Sequence, residues 1–232
     1  HRDLHSFPTR RSSDLETVEI CQILTSVLEM RVYPLHNFLE ITLSTSNPIL
    51  HPARTYSMFS EYKDGMYWKK NILFYEDWSQ DSSELLIKMD EEVHRIIDAI
   101  PFDLSGVKPL LQHYEVKTCS ELTNKIQNIT AFKGITSPMK QTEFGWVPDF
   151  ESRYFTEDIS YGLIIIKSIA QILNIQVPAI DKVIGWAQYH MKRQFVTNGN
   201  LLWTLIKDVP LHQNFGLTLP KDFISYYKQP NI

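Results

Sequence analysis

The sequence predicts a mainly α-helical domain, and three observations carry that reading. Apolar residues recur at helical spacing along most of the chain, polar residues of the helix-start kind precede those stretches, and prolines open or end them.

Taken in order, Glu16 to Met30 sets Val18, Cys21, Leu24, Val27 and Leu28 on one helical face, and Phe38 to Ser46 reads as a further short helix. Asn47 and His51 each precede a proline, which favours extended backbone at both; the next helix is therefore expected to open at Pro52, with His51 at its N-terminus and Ala53 to Phe59 following. Ile72 to Tyr75 fits a strand or a buried loop equally well. Asp81 and Glu84 have the spacing of a capping box, ahead of a stripe of Leu85, Met89, Val93, Ile96, Ile97 and Ile100 that Pro101 terminates. Thr118 and Glu121 repeat the signal before Leu122, Ile126 and Ile129, in a helix expected to close near Gly134. A connection containing Pro and Gly runs to Phe150. With Thr156 as N-cap, Ile159, Leu163, Ile166, Ile169, Ala170 and Leu173 define a strongly apolar helix at the centre of the core. Pro178 opens another helix, to about Phe195, and Asp222 to Tyr227 forms the last.

A chain of 232 residues suffices for one large or two small domains. Hydrophobic residues at 43% and charged residues at 22% match ordinary globular usage. The formal net charge of −4 leaves no electrostatic footprint for nucleic acid or an anionic membrane, and favours small-molecule or protein partners. Leu163 to Ile166, the longest apolar run, is far shorter than the roughly 20 residues a membrane span requires. Cys21 and Cys119 lack metal-ligand spacing and read as reduced thiols, so a cytoplasmic location is expected.

The first residues are set aside: His5 to Leu15 resembles translated sequencing-adapter read-through, and 1–15 is treated as foreign to the fold. The native protein is then expected to extend further toward its N-terminus. No G-x-G-x-x-G, P-loop or H-E-x-x-H motif occurs, so neither a dinucleotide site nor a metal site is visible.

Two stretches carry a resemblance. Asn47-Pro48-Ile49-Leu50-His51-Pro52-Ala53-Arg54 and Arg153-Tyr154-Phe155-Thr156-Glu157-Asp158-Ile159-Ser160-Tyr161-Gly162-Leu163 resemble the two signature blocks of the helical domain of the opine dehydrogenase family. Phe74-Tyr75-Glu76-Asp77, Met89-Asp90-Glu91-Glu92, Gly134-Ile135-Thr136-Ser137-Pro138 and Val177-Pro178-Ala179-Ile180-Asp181 add to it. The ending Gln213-Asn214-Phe215-Gly216-Leu217 with Asp222-Phe223 is similar to the marine-invertebrate branch, which makes octopine, tauropine, strombine or alanopine. The resemblance implies an N-terminal Rossmann domain, of which 16–40 would be the tail, followed by a helical substrate-binding domain over 41–232. It implies that NADH or NADPH, held mainly by the absent domain, reduces the imine formed from an amino acid and pyruvate or another 2-keto acid.

The same resemblance assigns His51 as acid/base and Asp158 as its partner, Arg153 to a substrate carboxylate, and Asn47 to a place near nicotinamide and substrate. An imidazole titrates near neutrality, a carboxylate can orient it, and a guanidinium fork matches a carboxylate. Each residue also has a plain reading: His51 packing at a Pro-rich turn, Glu157 and Asp158 as helix-start acids, Arg153 as a surface arginine, Asn47 as an Asn-Pro turn. His94, His113, His190 and His212 lack partner spacing and read as structural or solvated, and the five tryptophans as core. Two other functions compete. One is another dehydrogenase of Rossmann-plus-helical type, related to ketopantoate reductase or glycerol-3-phosphate dehydrogenase, which would use a helical lysine. The other is a helical binding module without catalysis.

Overall fold

The computed structural model describes residues 14–35, 37–44 and 47–228, and most of the first segment set aside above lies outside them. Its helices are α1 (Asp14–Leu28), α2 (Leu39–Thr42), α3 (Asn47–Phe59), α4 (Gln80–Asp98), α5 (Leu110–His113) and α6 (Cys119–Gln127). The antiparallel hairpin β1 (Met139–Gln141) and β2 (Trp146–Pro148) comes next. Then follow α7 (Arg153–Thr156), a π-helical turn (Asp158–Leu163), α8 (Ile164–Ile172), α9 (Pro178–His190), the two-residue strands β3 (Val196–Thr197) and β4 (Asn200–Leu201), and α10 (Pro220–Lys228).

The core forms where α3, α4, α8, α9 and the π turn converge. Ile49 and Ala53 of α3, Leu86 and Val93 of α4, Ile166 and Ile169 of α8, and Ile184 of α9 are all fully buried. Removing such a side chain from water contributes about 1.5–3 kcal/mol. The α8 segment is the centre expected from its apolar run. The apolar residues of α1 instead stay exposed, Val27 by 72%.

Two buried carboxylates on α4 fasten its neighbours by capping helix starts, where backbone N–H groups lack intrahelical acceptors. Asp90 Oδ2 accepts from Leu110 N (2.9 Å), and Glu92 accepts from both Ala179 N (2.7 Å) and Ile180 N (2.9 Å).

Several helix boundaries differ from expectation. Asn47 and His51 are helical rather than extended: α3 begins at Asn47 and carries Pro52 inside it, with His51 in its second turn. Pro48 falls among the first-turn positions that need no donor, so a helical Pro52 forfeits one intrahelical bond, and burial of Ile49, Leu50 and Ala53 outweighs the pre-proline bias. The cap of α4 is Ser79, whose hydroxyl accepts from Ser82 N (3.2 Å), not Asp81, which lies in the first turn with its charge toward the helix dipole. Thr118 does cap α6, accepting from Glu121 N, but that helix ends at Gln127 and a 3₁₀ turn over Thr130–Phe132 follows.

Thr156 is no cap either. Ser152, in extended conformation, precedes α7, and the Thr156 hydroxyl donates back to Ser152 O (3.2 Å) from within the helix. Helix α9 stops at His190, after which Lys192 takes a left-handed φ of 51°. Ile72 to Tyr75 is a turn whose one ladder contact is the bridge between Leu73 and Thr136.

Candidate active site

His51 is 8% exposed, and both of its ring nitrogens are engaged. Nδ1 lies 2.7 Å from Asp158 Oδ2 and Nε2 lies 2.9 Å from the hydroxyl of Tyr75. Against a carboxylate, which can only accept, Nδ1 is the donor, and in the tautomer protonated there Nε2 accepts from the phenol. Tyr154 tilts over the imidazole at 4.6 Å between centroids, and Phe74 meets it edge-on at 5.4 Å. Burial, reinforced by Tyr154, Tyr114 and Asp158, pushes the Tyr75 phenol well above the usual tyrosine range, so it remains a donor. Burial and Asp158 also raise Tyr154.

Each partner reaches His51 because of a local feature. Asp158 opens the π turn, where an extra residue per turn changes which side chains face α3. That turn presses close to α3, because a Cβ on Gly162 would lie 3.0 Å from Pro48 Cβ. Tyr75 is presented by the turn 73–77, which Arg54 grips from one turn beyond His51. Arg54 donates to Phe74 O (2.9 Å), Asp77 O (2.7 Å) and Ser82 Oγ (3.3 Å). Burial lowers its pKa to about 10 against the opposing charge of Asp77. Asp77 Oδ2 accepts from Leu73 N, Glu76 Oε2 accepts from Gly134 N, and Phe74 N donates to Ile135 O.

The structure therefore brings together His51 and Asp158, which are 107 positions apart in sequence. Arg153 is exposed, and its guanidinium forks onto Glu157 at 2.8 Å through both Nε and Nη2. That hydrogen bond raises the Arg153 pKa and lowers that of Glu157. Asn47 is exposed at the first turn of α3.

Sequence reasoning missed Tyr75 and Arg54, although both stand in the quoted blocks. Among the other histidines, His190 stacks on Phe150 at 4.3 Å, and His212 meets Tyr227 Oη at 2.8 Å. The buried Lys167 of α8 is paired with Asp181 of α9 at 2.7 Å. Among the described residues no group of three or more His, Cys, Asp or Glu is arranged to hold a metal ion, and no helix is long and apolar enough to cross a membrane.

Fold and site together define a helical domain in which a buried histidine is held between a carboxylate and a tyrosine hydroxyl. The chain belongs to the family whose model is described as NAD/NADP octopine/nopaline dehydrogenase, alpha-helical domain, matched over residues 34–191. It is 31% identical over 194 residues to the opine dehydrogenase of Haliotis discus hannai (78% of this chain, 47% of that protein). It is 29% identical to the octopine dehydrogenase of Pecten maximus (78% and 47%) and 31% identical to the tauropine dehydrogenase of Arabella iricolor (78% and 48%). The chain thus spans about half the length of the curated relatives it matches. Octopine dehydrogenase solved with NADH and pyruvate superposes with a TM-score of 0.77 at 26% identity, over 90% of this chain and 54% of that one. The form with NADH and L-arginine gives 0.77 at 27%, over 94% and 56%.

Proposed function

We propose that this chain is the substrate-binding half of an opine dehydrogenase, which condenses an amino acid with pyruvate or another 2-keto acid and reduces the product with NADH or NADPH. The observation that carries the reading is the His51–Asp158 pair at 2.7 Å, joining the two matched family blocks across the core. In this reading the pair holds and returns the proton that the keto oxygen or imine requires. Arg153 leaves Glu157 to take a substrate carboxylate through its fork, and Asn47 borders the nicotinamide and substrate. The described residues do not themselves fit the cofactor's phosphates: a dinucleotide cradle needs clustered glycines before a helix, and those here stand apart at 65, 106, 134, 145, 162, 185, 199 and 216. The dinucleotide, which supplies the hydride, is accordingly assigned to a region outside these 232 residues. The bare apolar face of α1 supports reading 16–40 as the tail of that region.

The test is expression of the full-length protein and an assay of NADH oxidation with pyruvate plus arginine, alanine, glycine or taurine. Oxidation requiring both pyruvate and one amino acid, and falling about 10²–10⁴-fold in His51→Ala, is the expected result. Oxidation supported by no amino acid would remove the assignment.

A further inference from the structure

The phenol on His51 Nε2 has no assigned role, and the packing around it permits little movement. The Tyr75 ring stacks on Phe132 at 4.2 Å and 22°, meets Phe74 edge-on at 4.9 Å, and is 6% exposed. Its turn is held at four points, by Arg54 on the Phe74 and Asp77 carbonyls, by Asp77 on Leu73 N and by Glu76 on Gly134 N. The ring is fixed, and the remaining freedom is rotation of the hydroxyl proton about its C–O bond.

That rotation is tied to His51. While Nε2 is a lone pair, the hydroxyl proton points at it. When Nε2 carries a proton the two hydrogens cannot face each other, so the phenol oxygen accepts and its own proton turns away. We propose that Tyr75 is the positioning residue of this acid–base pair: its hydroxyl holds His51 Nε2 in one orientation, and its proton turns toward or away from the ring with the protonation of that nitrogen. The hydroxyl thus keeps Nε2 aimed the same way whether or not that nitrogen carries the proton. This step rests on the opine dehydrogenase reading for its purpose, but not for its geometry.

The geometry is tested on the 232-residue chain by nitrogen NMR of ¹⁵N-histidine-labelled protein, at a pH where His51 is neutral. In Tyr75→Phe the Nε2 resonance is expected to move downfield, as an acceptor that has lost its donor, while Nδ1 keeps its proton. A fluorinated tyrosine at 75, a stronger donor on the same ring, moves Nε2 the opposite way and remains informative where Tyr75→Phe fails to fold. Tyr154→Phe, which alters a ring tilted over His51, leaves the resonance in place. An Nε2 signal unmoved by both changes at 75 overturns the proposal. In the full-length enzyme, Tyr75→Phe is expected to lower kcat about 2- to 10-fold, the worth of one hydrogen bond, with KM for the keto acid unchanged. Unchanged kcat despite a shifted Nε2 refutes the positioning role. Absence of turnover in the unsubstituted enzyme counts against the opine dehydrogenase reading instead, and the nitrogen signal then decides for Tyr75.

Discussion

Gly162 of the π turn approaches Pro48 of α3 so closely that a Cβ on the glycine would lie 3.0 Å from the proline Cβ and 3.2 Å from its Cα. The proline ring is rigid and buried Ile49 follows it, so neither side can give way cheaply. Pro48 lies about one turn before His51 and Gly162 about one turn after Asp158, so the contact joins the same two elements as the His51–Asp158 hydrogen bond.

Gly162→Ala is therefore expected to destabilise the domain by about 1–3 kcal/mol, the usual range for overpacking. It should also lengthen the His51–Asp158 hydrogen bond. Urea unfolding gives the first quantity, and the chemical shift of the His51 Nδ1 proton the second. An alanine variant as stable as the parent, with that proton unmoved, would show that the two elements slide freely.

Glu92 is exposed to a different test, because its two oxygens serve two backbone donors at the start of α9. Burial raises its pKa and the two N–H groups oppose that shift. Glu92→Gln keeps the size but supplies one acceptor and one NH₂, which confronts an N–H with another donor. A loss of about 1–3 kcal/mol is expected by denaturant titration. Equal stability would mean that water replaces the missing acceptor.

The legibility of this fold divides along physical lines. Helix periodicity was read correctly wherever one face is buried, as in α4 and α8, because burial and sequence pattern have the same period. Cap positions are legible only in part: Thr118 caps α6 as expected, whereas Ser79 and Ser152 stand where Asp81 and Thr156 are expected, since a cap depends on one residue's backbone angle and several polar residues compete nearby. The helical Pro52 could not be read locally, because tertiary burial of α3 decides it. His51 and Asp158 were legible through family blocks. Tyr75 was not singled out, since a buried tyrosine next to Phe74 looks like core until the fold brings its hydroxyl to Nε2. The quoted blocks prove to fasten one another: Glu92 caps the Pro178 helix, and Glu76 binds Gly134.

Arg54→Lys examines whether the Tyr75 turn depends on planar, multi-point donation. A lysine ammonium cannot reach Phe74 O, Asp77 O and Ser82 Oγ in one geometry, so buried carbonyls lose their partners. The expected cost is about 2–4 kcal/mol in urea unfolding, with faster amide hydrogen exchange at Phe74 and Trp78. Wild-type stability with unaltered exchange would show the loop to be held by Asp77 and Glu76 alone.

His212 gives the clearest dependence on pH. It packs against Phe223 at 5.1 Å, bonds through Nε2 to Tyr227 Oη, and is driven by burial down to about 4 from an ordinary 6.5. A lowered folded pKa means that the unfolded chain binds the proton more readily between those values. The stability contributed by neutral His212 is thus complete above pH 6.5, declines as pH falls toward 4, and declines no further below it. The slope in that window reaches at most about 1.4 kcal/mol per pH unit for one proton. The loss should appear at α10, which is fastened to the entry of the domain by Asn37 Nδ2 donating to Tyr227 O (3.1 Å). Carboxylates titrate in the same range, so the measurement is a difference: urea unfolding of the parent and of His212→Gln at pH 7.5, 5.5 and 4.5. The parent's advantage should shrink as pH falls, because glutamine has no proton to take up. A difference constant across the three values would mean that His212 takes up its proton alike in the folded and the unfolded chain.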